Sequence, residues 1–461
     1  MNNSYQSPQN SLHISPETWN SFRQAMLSAR KSNEEVIGFL FCQRHQISKR
    51  QVRYFPKVWV VPAPDCYEHQ STCGLALKEQ FHLYLLENYL SEGKLDVVHV
   101  HTHAGQETPY FSCVDDKYES EYARFLSSNF PEKHRLISGV FDESMQQSEF
   151  RIWSKKGNSF EPVNFHPSWF EIAEQQQEQY NLLPESDLMF SRQKVFGEVF
   201  QRQLSELTVT LIGCGGIGAV FAEQLGRLGV KKWLLVDPDR LEIVNLNRMP
   251  GATRQMADQQ WHKVEYVKQL IKKIYETGSC VKTIPNSIEH KTAQREIAAS
   301  DLIVVATDNH RSRQVAQELA LKYMRPLVCL GTHIDIKPDG EPRMYCRVTV
   351  PPLGGGWCLM CGNIINLQRA ALEAAPVEIG NLASQAGYLE GINDPAVFWL
   401  NSICASTAVG IIQGMVSGFL NVEHGLDWIY QFPQCQWQHT NTDYLVTPGC
   451  YFCSSDDCDL V

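Results

Sequence analysis

The stretch VTLIGCGGIGAVFAEQLGRLG, Val209–Gly229, decides how the larger part of this chain folds. A short β-branched and apolar run ends in GCGGIG, and a segment with helical apolar spacing follows. Gly213, Gly215 and Gly218 stand in the GxGxxG pattern. Glycines there let the backbone turn tightly and approach a phosphate, and a helix opening at Gly216 turns its N-terminus toward the negative charge. The pattern alone suits a dinucleotide as well as a nucleoside triphosphate.

Downstream, strand-like and helix-like runs alternate: KKWLLVD, a helix near 261–277, CVKTIP, a helix, DLIVVATD, another helix and RPLVCLG. Such alternation predicts an α/β domain with a parallel sheet and helices on both faces. Asp237 ends the strand after the glycine helix, where a carboxylate would hold a ribose hydroxyl of either ligand. The residues beyond it separate the two. DPDRLEIVNLNRM carries Asn245 and Arg248, Lys263 lies on the next helix, and Asp308 ends a later strand, where ligands of α/β sheets bind. A triphosphate under attack needs cations for its leaving pyrophosphate and a carboxylate for Mg2+; a hydride transfer needs neither.

This set resembles the E1/ThiF/MoeB adenylating family over residues 190–461. The resemblance implies a Rossmann-like doubly wound domain using ATP and Mg2+. Gly213, Gly215 and Gly218 would cradle the nucleotide, Asp237 would hold ribose, Asn245, Arg248 and Lys263 would grip phosphates, and Asp308 would bind Mg2+. MFSRQ, Met189–Gln193, is similar to the family's first helix, whose arginine, here Arg192, would reach into the active site of the opposite subunit; this implies a homodimer. The reaction implied is attack of a terminal glycine carboxylate, on a ubiquitin-like or sulfur-carrier protein, at the α-phosphate of ATP. The products are an acyl adenylate and pyrophosphate. The resemblance also admits an E2-like protein as a partner.

Two CxxC pairs, Cys358/Cys361 and Cys450/Cys453, have the spacing of a tetrahedral four-cysteine zinc site that staples distant segments together. Cys458 is an alternative ligand. Many members of this family pass the acyl group to a cysteine soon after the first CxxC. Here no cysteine lies between Cys361 and Cys404. Cys404 falls in an apolar helix and reads as packing, with Cys435 the other free candidate.

The first third of the chain carries a different chemistry. VVHVHTHAGQETPYFSCVDD, Val97–Asp116, ends a strand in alternating histidines. Alternate side chains of a strand share a face, so His101 and His103 point the same way. Two imidazoles so placed suit one zinc ion, which takes nitrogen at about 2.0 Å. Asp115 or Asp116 would supply a third ligand from the following helix, and Glu35, at the mouth of the EVIGFLF strand, would be a base for a metal-activated water. A solvated strand end would carry the same histidines.

Glu35-Val-Ile-Gly, His101-Thr-His103 and Ser112-x-x-Asp115 together resemble the JAB/MPN (JAMM) metalloprotease family, over about residues 12–160. The resemblance implies a zinc peptidase that cleaves after the C-terminus of ubiquitin-like proteins. His101, His103 and Asp115 would be ligands, Glu35 the general base, and Ser112 a stabiliser of the oxyanion. Fusions of the two families occur in bacterial ubiquitin-like systems, which implies that one ubiquitin-like substrate serves both halves. The rivals are activation of a sulfur carrier for thiocarboxylate formation in biosynthesis, and a recruiting scaffold with an inactive peptidase half.

Around these motifs, SPETWNSFRQAMLSARKS predicts an amphipathic helix capped by Ser15, EVIGFLFCQ and KLDVVHVHTH predict buried strands, and LALKEQFHLYLLENYL predicts a helix between them. HRLISGVF and SEFRIWS predict a closing strand pair. Residues 161–189, rich in Gln and Glu, read as a linker containing a helix. The composition is that of globular domains, 43% hydrophobic and 20% charged over 461 residues. With a net charge of −10 and no basic stripe, nucleic acid is not an expected partner. The polar N-terminus lacks a signal sequence, no run of eighteen apolar residues occurs, and fifteen irregularly spaced cysteines fit a reducing compartment, so a cytoplasmic protein without membrane contact is expected.

Overall fold

A computed structural model of the chain describes residues 10–30, 34–48, 51–72, 74–91, 95–105, 108–130, 134–168, 170, 185–275, 278–338, 340–353, 355–375 and 395–453. The chain divides into two compact units, Met1–Trp169 and Phe170–Val461.

The first unit runs β1 (Asn10–His13), α1 (Pro16–Ala29), β2 (Ile37–Ser48), β3 (Gln51–Val60), β4 (Tyr67–Gln70), β5 (Leu75–Leu77), α2 (Glu79–Leu85), β6 (Leu95–Thr102), α3 (Cys113–Asn129), β7 (Leu136–Phe141), β8 (Ser148–Trp153) and β9 (Phe160–His166). Seven strands close a barrel in the order β1-β3-β2-β6-β7-β8-β9. Ser15 caps α1 by accepting from the Thr18 amide at 3.1 Å. Val97, Val98, Val100, Leu136, Ile137 and Phe141 bury the barrel's core beside Phe22 and Met26 of α1. Two elements differ from the sequence reading. Leu75–Leu77 pairs with β4 instead of opening the helix, and Lys78 holds extended dihedrals ahead of α2. An apolar triplet fits either period, and only the strand partner decides. The barrel also runs past residue 160, because β9 pairs with both β8 and β1. The helix expected in the linker falls mostly on 171–184, outside the described residues.

The second unit runs α4 (Glu198–Glu206), β10 (Thr208–Ile212), α5 (Gly216–Leu228), β11 (Lys232–Val236), α6 (Arg254–Asp258), α7 (Lys263–Ile274), β12 (Cys280–Ile284), α8 (Lys291–Ile297), β13 (Leu302–Val305), α9 (His310–Tyr323), β14 (Leu327–Ile336), β15 (Pro342–Val350), α10 (Leu367–Glu373), α11 (Phe398–Ser417), β16 (Leu426–Phe432) and β17 (Gln436–His439). Its eight-stranded sheet has the order β12-β11-β10-β13-β14-β15-β16-β17. The first five strands are parallel, as the alternation predicts; the last three add antiparallel. Chain order reverses between β10 and β13, which places a ligand crevice at their C-terminal ends. Helix α11 is long and apolar enough to cross a membrane, but Leu400, Cys404, Ala408, Ile411 and Met415 are buried where it packs on α5, β14 and β15.

Candidate active sites

At the crevice, Gly213 has φ of 94°, and a Cβ on it would stand 2.8 Å from the Ala306 carbonyl oxygen. At Gly218 a Cβ would collide with the Gly213 carbonyl oxygen. Glycine is therefore the residue that lets α5 begin so close to the end of β10. Gly215, the N-cap of α5, meets nothing within 4 Å of an added Cβ, so the space beside the N-cap is open, while Asn401 and Arg248 crowd Gly216.

Asp237 is buried and ties the loop to the end of β11. Its Oδ2 accepts from the Cys214 amide at 2.6 Å and its Oδ1 from the Asp239 amide at 2.8 Å. Burial raises its pKa against the pull of Lys263. Lys263 lies 2.8 Å from Asp239. Burial works against its ammonium, but Asp237, Asp239 and Asp308 outweigh burial and raise its pKa. Asp237 is thus bonded to the glycine loop through Cys214, Lys263 is held beside it by Asp239, and the turn that carries Asp308 passes Gly213, where Thr307 Cγ2 would stand 2.9 Å from an added Cβ. Arg248 donates to the Val244 carbonyl at 2.7 Å and the Asn247 side chain at 3.0 Å, and its Cγ is 3.1 Å from where a Cβ on Gly216 would sit. Asn245 is buried and closes the preceding turn by accepting from the Glu242 amide at 2.9 Å. Arg192 is exposed on a 3-10 segment, Glu185–Phe196, and among the described residues no hydrogen bond or ion pair links it to the glycine loop of its own unit.

A cavity of about 520 Å³ opens beside Asp308. Gly331, Tyr345 and Gln431, from β14, β15 and β16, form part of its floor. Arg313 donates to the Thr307 carbonyl at 3.1 and 2.8 Å and so steadies the turn that carries Asp308. Asn401 was not legible as a site residue. From α11 it accepts from Thr332 at 3.1 Å, and its Nδ2 would be 2.6 Å from a Cβ on Gly216. Its only signal is a buried asparagine in a largely apolar helix.

In the barrel unit, His101 Nε2 lies 3.1 Å from His103 Nε2 and 3.4 Å from Asp115 Oδ1, and His103 Nε2 lies 3.6 Å from Asp115 Oδ2. A tetrahedral ion with ligands at about 2.0–2.1 Å would space them about 3.3–3.4 Å apart, so the donor set fits zinc. Ser112 caps α3 and donates to Asp115 Oδ2 from its hydroxyl at 2.8 Å and its amide at 2.7 Å. Its hydroxyl proton is therefore engaged in orienting the carboxylate. Burial opposes the Asp115 charge, but hydrogen bonds from His101, His103 and Ser112 hold it well below the usual range. Glu35 is 8% exposed, and its backbone is pinned by Ser71 at 2.8 Å and Gln70 at 2.9 Å. Burial raises its pKa, and both His103 and Asp115 act on its charge.

Asp116 is turned away from this cluster, paired with Arg151 at 2.6 Å. Arg151 also donates to Glu119 at 2.8 and 2.6 Å and lies 3.7 Å over the Phe111 ring. His99, first in the histidine series, meets the same Glu119 at 3.1 Å. The histidine spacing offered His99, but its acidic partner on α3 had no sequence signature.

The four cysteines of the CxxC pairs converge from segments far apart in sequence. Cys358 lies 3.7 Å from Cys361 and 3.8 Å from Cys450, and Cys361 lies 3.5 Å from Cys453, sulfur to sulfur. These separations are far beyond a disulfide at about 2.05 Å. They match the edge of about 3.8 Å expected around zinc with sulfur at about 2.3 Å. Cys458 lies outside the described residues. Cys404 is fully buried, its thiol near the Gly331 and Arg347 carbonyls at 3.6 Å, and its pKa is raised by Cys346 and by burial. Cys435 is exposed.

The ThiF family's sequence pattern matches residues 190–423, half of the chain. The chain is 27% identical over 199 residues to the sulfur carrier protein ThiS adenylyltransferase of Bacillus subtilis, covering 41% of this chain and 58% of that protein. It is 27% identical over 227 residues to ubiquitin-like modifier-activating enzyme 5 of Xenopus laevis, covering 45% and 54% respectively. The chain thus spans little more than half the length of these relatives. Among solved structures, E. coli MccB aligns with a TM-score of 0.45 and 17% identity, over 58% of this chain and 74% of that one.

Proposed function

This chain belongs to the ThiF family, and from that premise we propose that residues 190–461 form an E1-like, ATP-dependent adenylyltransferase acting on the C-terminus of a ubiquitin-like or sulfur-carrier protein. The observation that carries the proposal is the grouping of Asp237, Lys263 and the turn of Asp308 around the glycine loop. In the proposed reaction a terminal carboxylate oxygen bonds to the α-phosphorus of ATP. The bond from that phosphorus to the bridging oxygen breaks, and pyrophosphate leaves with the electron pair. Lys263 and Arg248 offset charge on the phosphates, the N-terminus of α5 receives them, Asp237 holds ribose, and Asp308 holds Mg2+. Arg192 serves the other subunit of a homodimer.

Residues 12–160 are proposed as a JAB/MPN-type zinc peptidase that trims the same protein to its terminal glycine or releases it from targets. The support is the spacing of His101, His103 and Asp115. Zinc held there would polarise a water molecule and the scissile carbonyl. Glu35 takes the water's proton and gives it to the leaving amine. Ser112 steadies Asp115, and its proposed role toward the developing oxyanion would require its hydroxyl to turn from that carboxylate. The four cysteines Cys358, Cys361, Cys450 and Cys453 are proposed to hold a second, structural zinc.

A reading in which the adenylate passes directly to sulfur transfer is favoured over a thioester relay through Cys404, with the exposed Cys435 the remaining candidate for a relay. Cys404 is buried under the sheet, and no cysteine occupies the segment between Cys361 and Cys404. The test is ATP–pyrophosphate exchange with a ubiquitin-like protein ending in glycine, alongside cleavage of the same protein carrying a C-terminal extension. Asp308→Ala should abolish exchange and spare cleavage, and Glu35→Gln should do the reverse. Exchange that persists in Asp308→Ala would overturn the magnesium assignment.

A further inference from the structure

The cavity beside Asp308 has a charge that the rest of the chain does not lead one to expect. The protein carries a net charge of −10, yet Arg313, Arg347 and Arg369 line this cavity together with His310 and His333. Asp308 is the one carboxylate among its described lining residues. Arg347 is internally compensated, since Asp427 meets its guanidinium at 2.7 and 2.9 Å. Arg313 spends two donors on the Thr307 carbonyl, a neutral group, and keeps its charge. Arg369 is exposed on α10, and among the described residues its guanidinium forms no ion pair. If Asp308 is committed to Mg2+, no carboxylate among the described lining residues offsets Arg313 and Arg369.

We propose that this cavity selects a protein tail with acidic side chains just upstream of its terminal glycine. The proposal rests on the adenylation reading of the same site and adds a specificity to it. The terminal carboxylate must reach the nucleotide at Asp308, so the residues preceding it lie in the adjoining cavity. About 520 Å³ is the size of a site that takes a small ligand or a few residues of chain. An acidic side chain there meets unpaired guanidinium groups, while a lysine meets like charge, which costs both affinity and rate of encounter. Arg369, at the exposed rim, is the residue whose reversal should reverse the preference.

The experiment uses the full chain with three fluorescently labelled synthetic peptides ending in Gly-Gly, identical except for Glu-Glu, Gln-Gln or Lys-Lys immediately upstream. Binding is read by fluorescence anisotropy and adenylation by pyrophosphate exchange. The acidic peptide should bind about fivefold or more tightly than the basic one, with the neutral peptide between. The difference should shrink as salt is raised. Arg369→Glu should abolish or invert the order. Equal binding of the three, tighter binding of the lysine peptide, no binding of any, or an order untouched by Arg369→Glu would each overturn the proposal. Charge-selective binding without exchange would remove the adenylation reading and leave the selectivity standing. Exchange without charge preference would do the opposite.

Discussion

Arg151 and Asp116 form an ion pair at 2.6 Å on the flank of α3, and Asp115 is thereby left as the carboxylate that meets His101 and His103. Two adjacent aspartates on a helix project about 100° apart. One faces the histidines at the end of β6, and the other faces the arginine on β8.

The first expectation follows directly. Asp115→Ala should lose the ion held by the two histidines, while Asp116→Ala should retain it and cost only about 0.5–1 kcal/mol, as a half-exposed pair does. Metal analysis of the purified variants decides it. Equal zinc loss in both would mean that the helix face is assigned wrongly.

Glu119 supplies a pH signature for the barrel. Burial alone would raise its pKa, but His99, Arg151 and Trp153 outweigh burial and hold it at about 2, against the ordinary 4.5. A depressed carboxylate stabilises the fold fully above its unfolded value and loses that contribution as pH falls through the folded one. Glu119→Gln should therefore destabilise the barrel by about 3 kcal/mol at neutral pH, since it leaves the buried Arg151 charge with only the half-exposed Asp116 as its partner. The gap between wild type and variant should narrow from pH 4.5 toward pH 2. Denaturant midpoints across that range measure it, and a gap independent of pH would show that Glu119 is not the linked group.

The sulfur cluster predicts a folding role for metal. Cys358→Ser should release one zinc per chain and destabilise the second unit, because binding energy at a structural zinc site is folding energy. His101→Ala should lose a different zinc and leave the thermal transition of that unit where it was. Calorimetry paired with metal content separates the two, and a wild type with a single zinc would remove one of the sites.

The proposed composite dimer would make Arg192 and Asp308 complementary. Subunits carrying Arg192→Ala alone, or Asp308→Ala alone, should lack exchange activity, and mixed dimers should recover a fraction of it. That fraction comes from the one site whose Asp308 and partner-supplied Arg192 are both intact. Verified heterodimers without recovery would place Arg192 in its own subunit's chemistry or outside it.

Short-range pattern was enough for much of this protein. The GxGxxG turn, the strand–helix alternation from β10 to β14, the shared face of His101 and His103 and the paired CxxC motifs are all legible in spacing, because each rests on a backbone period or a local turn. The tertiary structure alone decided the rest. Whether Asp115 or Asp116 faces the histidines depends on Arg151, more than thirty residues away on another strand. Leu75–Leu77 became a strand because Tyr67–Gln70 offered it a ladder. The antiparallel floor of β15 and β16, the arginines that meet above it and the Asn401 amide behind Gly216 arise where separate elements pack. Contacts of that kind are set by burial and by the pairing of polar groups across the fold, and neither leaves a period in the chain.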